Sequence, residues 1–146
     1  KVELSEKDTG AVIEMIGRFE LFSGLSPEQV QRMVALVGVR HYEEDEVVFK
    51  KDDPGDAFFA IFMGEVEARV PGLLGLDSAI RRMGPGEFFG ELALLLHQPR
   101  SATIVCLEPC EFFVILRLDF EILLERNPDI AAAVKAVAKD RFEHRP

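Results

Sequence analysis

The chain has 146 residues, 48% of them apolar, with twelve Phe and no Trp; this fits one domain with a sizeable core and excludes a disordered chain. Its 26 acidic and 17 basic side chains give a net charge of -9, which argues against a nucleic-acid surface, because phosphate backbones need clustered Lys and Arg. The longest purely apolar run, AFFAIFM at 57–63, falls far short of the ~18–20 residues of a membrane span.

The first forty residues read as helical. Val12, Ile16 and Phe19 recur at helical spacing. LSPEQVQRMVALVG then opens with an N-terminal signal: Ser26 as cap, Pro27 in the first turn and Gln29 three residues after the cap. Val30, Met33, Val34 and Val37 form its apolar stripe and Gly38 is expected to end it. From 40 to about 118 the chain breaks into short segments divided by EEDE, DDPGD, Met63-Gly64, Pro71-Gly72, GPGE and Glu108-Pro109. Pro54-Gly55 suits the two central positions of a type II turn. EVEARV at 65–70 alternates apolar and charged residues, as a half-exposed antiparallel strand does. AFFAIFM and FFVIL are apolar on both faces, as strands inside a roll are. Many short strands at this spacing predict a mainly β fold, an antiparallel β-roll or jelly roll. Helix returns with DFEILLERN, and Asn127-Pro128-Asp129 is expected to cap a last helix with Ile130, Val134, Val137, Ala138 and Arg141 on one face. The expected organisation is a single domain over 1–146: N-terminal helices at 1–39, the roll at 40–118 and two C-terminal helices at 119–146.

Cys106 and Cys110 sit four apart, and His41, His97 and His144 are scattered without ligand-like spacing. The sequence therefore predicts no metal site. The two cysteines read as small buried apolar residues, with a disulfide or redox pair as the alternative.

The segment FFGELALLLHQPRSAT, 88–103, brackets an apolar run between Glu91 and Arg100. A short helix beginning after Gly90 leaves its first N–H groups unpaired, an anion site within an acidic protein. Gly90 lets a ligand approach the backbone, and Arg100 supplies a fork of donors for a phosphate. Ser101 and Ala102 add N–H groups, and the Ser101 hydroxyl faces either a phosphate or a purine amino group. Glu91 would repel a phosphate, so it is expected to face a neutral donor such as a sugar hydroxyl. A plain Glu91–Arg100 ion pair across the loop is the alternative.

Together LFSGLSPEQVQRM, DPGDAFFAIFMGEVEA, GPGEFFGELALL, PRSAT and LDFEILLERNPDI resemble the cyclic nucleotide-binding domain family, found in cyclic nucleotide-gated channels, the regulatory subunit of the cyclic AMP-dependent kinase and catabolite activator-type regulators. The resemblance runs from about Phe19 to Phe142. It implies a phosphate cassette at 88–103, with Glu91 on the ribose 2′-hydroxyl, Arg100 on the cyclic phosphate, and main-chain groups of Gly90, Leu92 and Ala102 holding the ligand. It implies C-terminal helices that swing toward the roll and cover the base; Lys135 is the residue selected to touch the purine edge, a solvated lysine being the alternative. Phe120 is a hinge contact or ordinary core. His97 replaces a glycine common in the family and is expected to take a left-handed conformation facing solvent.

The functional expectation is a sensor rather than an enzyme. It takes cyclic AMP or cyclic GMP as ligand, with cyclic AMP favoured, and needs no cofactor. A metal-dependent enzyme on a similar roll would need a His-rich ligand set. The expected setting is cytoplasmic, as the regulatory end of a channel or transporter, without membrane contact by the domain itself. The start at Lys1 and the lack of a helix-turn-helix after the last helix suggest a fragment without its output module. A ligand-independent interaction domain, or the regulatory part of a transcription factor, are the alternatives; oligomeric state is left open.

Overall fold

The computed structural model describes residues 2–3 and 9–143, with the main chain alone at 2, 3, 9, 11, 15 and 143. Two antiparallel sheets form a jelly roll. One has the order β1 (Val2–Glu3), β2 (Gly38–Tyr42), β9 (Cys110–Leu116), β4 (Ala57–Met63), β7 (Phe88–Phe89); the other runs β3 (Val47–Phe49), β8 (Thr103–Cys106), β5 (Val66–Pro71), β6 (Asp77–Met83). Helices α1 (Thr9–Gly17), α2 (Pro27–Leu36), α4 (Arg117–Arg126) and α5 (Pro128–Glu143) lie outside the roll, and α3 (Glu91–Leu96) sits inside the cassette.

The doubly apolar strands explain the layering. Side chains alternate across a strand, so Phe58, Ala60, Phe113 and Ile115 point to the helices while Phe59, Ile61, Phe112 and Val114 point into the roll. Val12, Ile16, Phe19, Met33, Val34 and Val37 fill the helix side, as their spacing predicts. The α2 start is a complete capping box: Ser26 Oγ accepts from the Gln29 N–H at 3.2 Å, and Gln29 Oε1 accepts from the Ser26 N–H at 2.8 Å. Strand β5 keeps Val66 and Ala68 buried, while Arg69 and Glu67 pair on the outer face at 2.8 Å.

Three local expectations change. The stretch read as wholly helical carries strand at both ends, Val2–Glu3 pairing with β2. Helix α2 passes straight into β2 through an extended Val37, so Gly38 opens a strand instead of supplying a left-handed stop. The turn before β4 centres on Lys51-Asp52: Asp52 takes φ 78°, the Asp53 N–H donates to the Lys50 carbonyl, and the Asp53 carboxylate accepts from the Lys50 N–H. Gly55 serves proximity, because a Cβ there would stand 2.4 Å from the Ala93 Cβ of α3. Asn127-Pro128-Asp129 opens the last helix as expected: α5 begins at Pro128 and the Asn127 carbonyl accepts from the Ala131 N–H at 3.0 Å, while the Asn127 side chain closes α4, donating to the Leu123 carbonyl at 2.8 Å and accepting from Gln29 of α2 at 3.1 Å.

Helix α5 is docked. Ile130, Val134 and Ala138 are buried, and the helix packs on α3, α4 and the short turn Glu20–Phe22. Phe120 of α4 stacks on Phe58 with ring centroids 4.7 Å apart, so it belongs to the core. No described helix is long and apolar enough to cross a membrane.

Candidate functional site

Between the sheets, at the cassette end of the roll, lies a cavity of about 770 Å³. Its wall includes Gly90, Glu91, Leu92, Arg100, Ser101 and Ala102, six of the seven residues expected at the site. Both buried charged residues of the described chain, Glu91 and Arg100, stand here at 1% and 2% exposure.

Local geometry fixes Arg100. Its N–H donates to the Asp53 carbonyl and its carbonyl accepts from the Asp52 N–H, both at 2.8 Å, clamping the loop before β4 to the end of the cassette. Gly90 takes φ 89°, and a Cβ there would come within 3.0 Å of Arg100 Nη1 and 3.2 Å of the Ala57 carbonyl. Only glycine combines that backbone with that proximity. The guanidinium donates from Nη1 to the Gly90 carbonyl and from Nη2 to the Ala57 carbonyl, both at 2.9 Å, and lies 4.0 Å over the Phe49 ring. Asp56, largely exposed, accepts from Nη2 at 3.4 Å. Burial pulls the Arg100 pKa below its ordinary value and the Asp56 charge opposes this. The fork expected to be free is therefore turned onto the main chain. Its Nε is buried with no partner.

Glu91 does not pair with Arg100. Its Oε1 accepts from Arg141 Nη1 of α5 at 2.8 Å, while its Oε2 is buried with no partner. Arg141 also donates to the Met83 sulfur at 3.3 Å, lies 5.3 Å over the Phe88 ring, and lines the cavity. Lys135, by contrast, is exposed on α5 and does not line the cavity. At ~100° per residue it stands about 120° round the helix from Arg141. Arg141 was legible as a member of the face shared with Val134 and Ala138; Asp56 and Ala57, the anchors of Arg100, needed the fold. His97 ends α3 in the left-handed region, φ 53°, and is exposed. Cys106 and Cys110 are free and buried. Among the described residues no group of three or more His, Cys, Asp or Glu is placed to hold a metal.

A jelly roll with a cassette helix, a glycine-backed arginine and a glutamate reached from the last helix defines a regulatory ligand-binding class. The chain belongs to the cyclic nucleotide-binding domain family, whose model matches residues 39–127. It is 33% identical over 129 residues to a potassium channel protein of Rhodopseudomonas palustris, covering 87% of this chain and 30% of that one. It is also 33% identical over 122 residues to the cyclic AMP receptor protein of Thermus thermophilus, covering 84% of this chain and 56% of that one. The crystal structure of the Thermus thermophilus catabolite activator protein superposes with a TM-score of 0.75 at 32% identity, covering 84% of this chain and 58% of that one. The chain thus spans between about a third and somewhat over half of these relatives. Domains of this family are regulatory sensors rather than enzymes.

Proposed function

We propose that the cavity binds a cyclic nucleotide, with the phosphate at Arg100 and the main chain of Gly90, Leu92 and Ala102, and the ribose hydroxyl at Glu91. One observation carries this reading. The site holds one buried donor without a partner, Arg100 Nε, and one buried acceptor without a partner, Glu91 Oε2. An orphan buried polar group costs about 1–3 kcal/mol. A ligand with an anionic oxygen and a hydroxyl at fixed separation relieves both costs, and a cyclic nucleotide is such a molecule.

The same contacts suggest the output. Arg141 ties α5 to the carboxylate that the ribose would use, so occupancy of the cavity changes what holds the helix. A ligand biases such an element only by its differential affinity for the two positions. The effector is then whatever the docked helix controls, a channel or transporter at the cytoplasmic face being the preferred reading given the potassium channel relative. A ligand-independent interaction domain has one observation in its favour: both Nη groups of Arg100 and one oxygen of Glu91 are already satisfied within the chain.

Titration with cyclic AMP, cyclic GMP and the corresponding linear monophosphates separates the two readings. The cyclic forms should raise the melting temperature, by an amount equivalent to about 2.7 kcal/mol at a hundred times Kd, and the linear forms should do less. No shift with any of the four favours the ligand-independent domain.

A further inference from the structure

The hairpin between β5 and β6 carries leucines that the fold does not use. Turns favour Gly, Asn, Asp and Ser, yet this one reads Gly72-Leu73-Leu74-Gly75-Leu76. The three leucines are 90%, 95% and 70% exposed, and none belongs to either core cluster of the described residues. Single exposed apolar residues are ordinary, but a contiguous apolar patch marks a contact surface. Leu74 also takes φ 63°, a left-handed conformation that leucine adopts at a cost and asparagine adopts readily. Packing does not account for these residues.

Strand register carries the tip outward. β5 pairs with β8 from Val66 to Arg69, whereas its pairing with β6 runs on to Pro71 opposite Asp77. The hairpin therefore extends about 7 Å past its last pair with β8 before the turn begins. β6 is the edge strand of its sheet. Within the turn the Gly72 N–H donates to the Leu76 carbonyl at 2.6 Å, and the Leu76 N–H donates to the Leu73 carbonyl at 3.2 Å. These main-chain groups are closed on one another, so fewer of them must give up water when the tip is covered.

Shape, area and charge decide what covers such a tip. A convex point of three side chains offers on the order of a few hundred Å², against about 800 Å² per partner in a standard protein interface. A bilayer needs no matching groove and accepts apolar side chains at its headgroup–acyl boundary. The charges behind the tip compensate one another. Arg69 pairs with Glu67 at 2.8 Å, Arg82 lies 3.9 Å from both Glu65 and Glu67, and Asp77 stands at the base of the turn. Arg81, paired with Ala68, lines the cavity instead of the tip. With a chain charge of -9, anionic lipid repels the molecule and the apolar tip is left as the source of attraction. We propose that the Leu73-Leu74-Leu76 tip is a membrane-contact site that inserts into the surface of a zwitterionic bilayer. The three leucines do not line the cavity, so the proposal stands apart from the nucleotide reading; it departs from the sequence reading of a domain without membrane contact.

The test is co-sedimentation with phosphatidylcholine vesicles, with light scattering of the lipid-free protein beside it. It compares the unaltered chain with a triple variant, Leu73→Ser, Leu74→Asn and Leu76→Ser. The unaltered chain should partition onto the vesicles. Each leucine removed should weaken partitioning about 10-fold, so the triple variant, about 1000-fold weaker, should stay in the supernatant. Asparagine suits the left-handed position, so the triple variant should keep the melting temperature of the unaltered chain. The chain has no Trp, and Leu73→Trp therefore supplies a single reporter. Its emission should shift to the blue with vesicles and be quenched by brominated acyl chains. Adding phosphatidylserine should weaken binding, most at low salt, where repulsion of the acidic chain is least screened. Failure of the unaltered chain to bind, binding retained by the triple variant, or an unshifted Leu73→Trp emission would overturn the proposal. Tighter binding to phosphatidylserine would also overturn it, by showing adsorption through arginines. A lipid-free dimer that the triple variant loses would overturn it by making a second copy the occupant.

Discussion

The two faces of the five-stranded sheet are built from the same strands and do different work. On the helix side, Phe58, Phe113 and Ile115 meet Phe19, Phe120 and Val134 in a wholly apolar cluster. On the roll side, Phe59, Phe89 and Phe112 form an equally aromatic cluster, yet it borders a cavity and the buried charges of Glu91 and Arg100. The helix-side face stabilises the fold by burial alone. The roll-side face gives up part of that stability to hold a void and two polar atoms without partners.

Truncation on each face should separate these roles. Phe113→Ala, which removes a ring 5.5 Å from that of Phe19, should cost roughly 3–5 kcal/mol of stability, while the folded fraction keeps its nucleotide affinity. Urea unfolding and calorimetry on one sample measure both. A large loss of affinity with unchanged stability would mean that the apolar face takes part in binding.

Arg100→Ala is the mirror case. It should weaken nucleotide binding by about 2–5 kcal/mol, or ~30- to ~4000-fold. Because the Gly90 and Ala57 carbonyls lose their donor, some stability goes as well, about 1–3 kcal/mol for a group left buried. Unchanged affinity in the folded variant would remove Arg100 from the site.

Helix α5 joins the two faces, since Ile130, Val134 and Val137 pack on the apolar side and Arg141 reaches the polar one. A double-mutant cycle of Glu91→Gln and Arg141→Ala, read by unfolding without nucleotide, should give a coupling of roughly 0.5–3 kcal/mol. Coupling near zero would mean that packing alone docks the helix. Saturating nucleotide should change the coupling if the ribose shares Glu91.

The apolar face was almost fully legible in the sequence, because helical periodicity and doubly apolar strands are statements about burial, and burial is what builds that face. The capping box at Ser26 and the alternation of EVEARV were equally direct, being local. The polar face was legible in the cassette, at Gly90 to Leu92 and Arg100 to Ala102, and not in what reaches it from elsewhere in the chain. Lys135 was selected on the last helix to touch the purine edge, whereas the face of α5 that meets the cavity carries Arg141, which reaches the carboxylate. Pro54-Gly55 looked like a turn by composition, but close packing on α3 claims Gly55.

The roll interior is itself graded, and its far end gives the smallest effect. Away from the cavity, Cys106 and Cys110 are buried, and Cys110 Sγ donates to the Glu108 carbonyl at 3.2 Å and the Glu65 carbonyl at 3.4 Å. Burial pushes the Cys106 thiol well above its ordinary pKa and raises that of Cys110. The folded state therefore keeps protons that the unfolded state gives up near pH ~8.5. This contribution is whole below that pH and falls above it, with a limiting slope of about 1.4 kcal/mol per pH unit for each thiol. Between pH 8 and 10 the unaltered chain should lose roughly 1–2 kcal/mol more stability than Cys106→Ala, which has one such thiol fewer. Parallel pH profiles for the two proteins would show that water reaches the thiols, and that the dry region ends short of the β8–β9 turn.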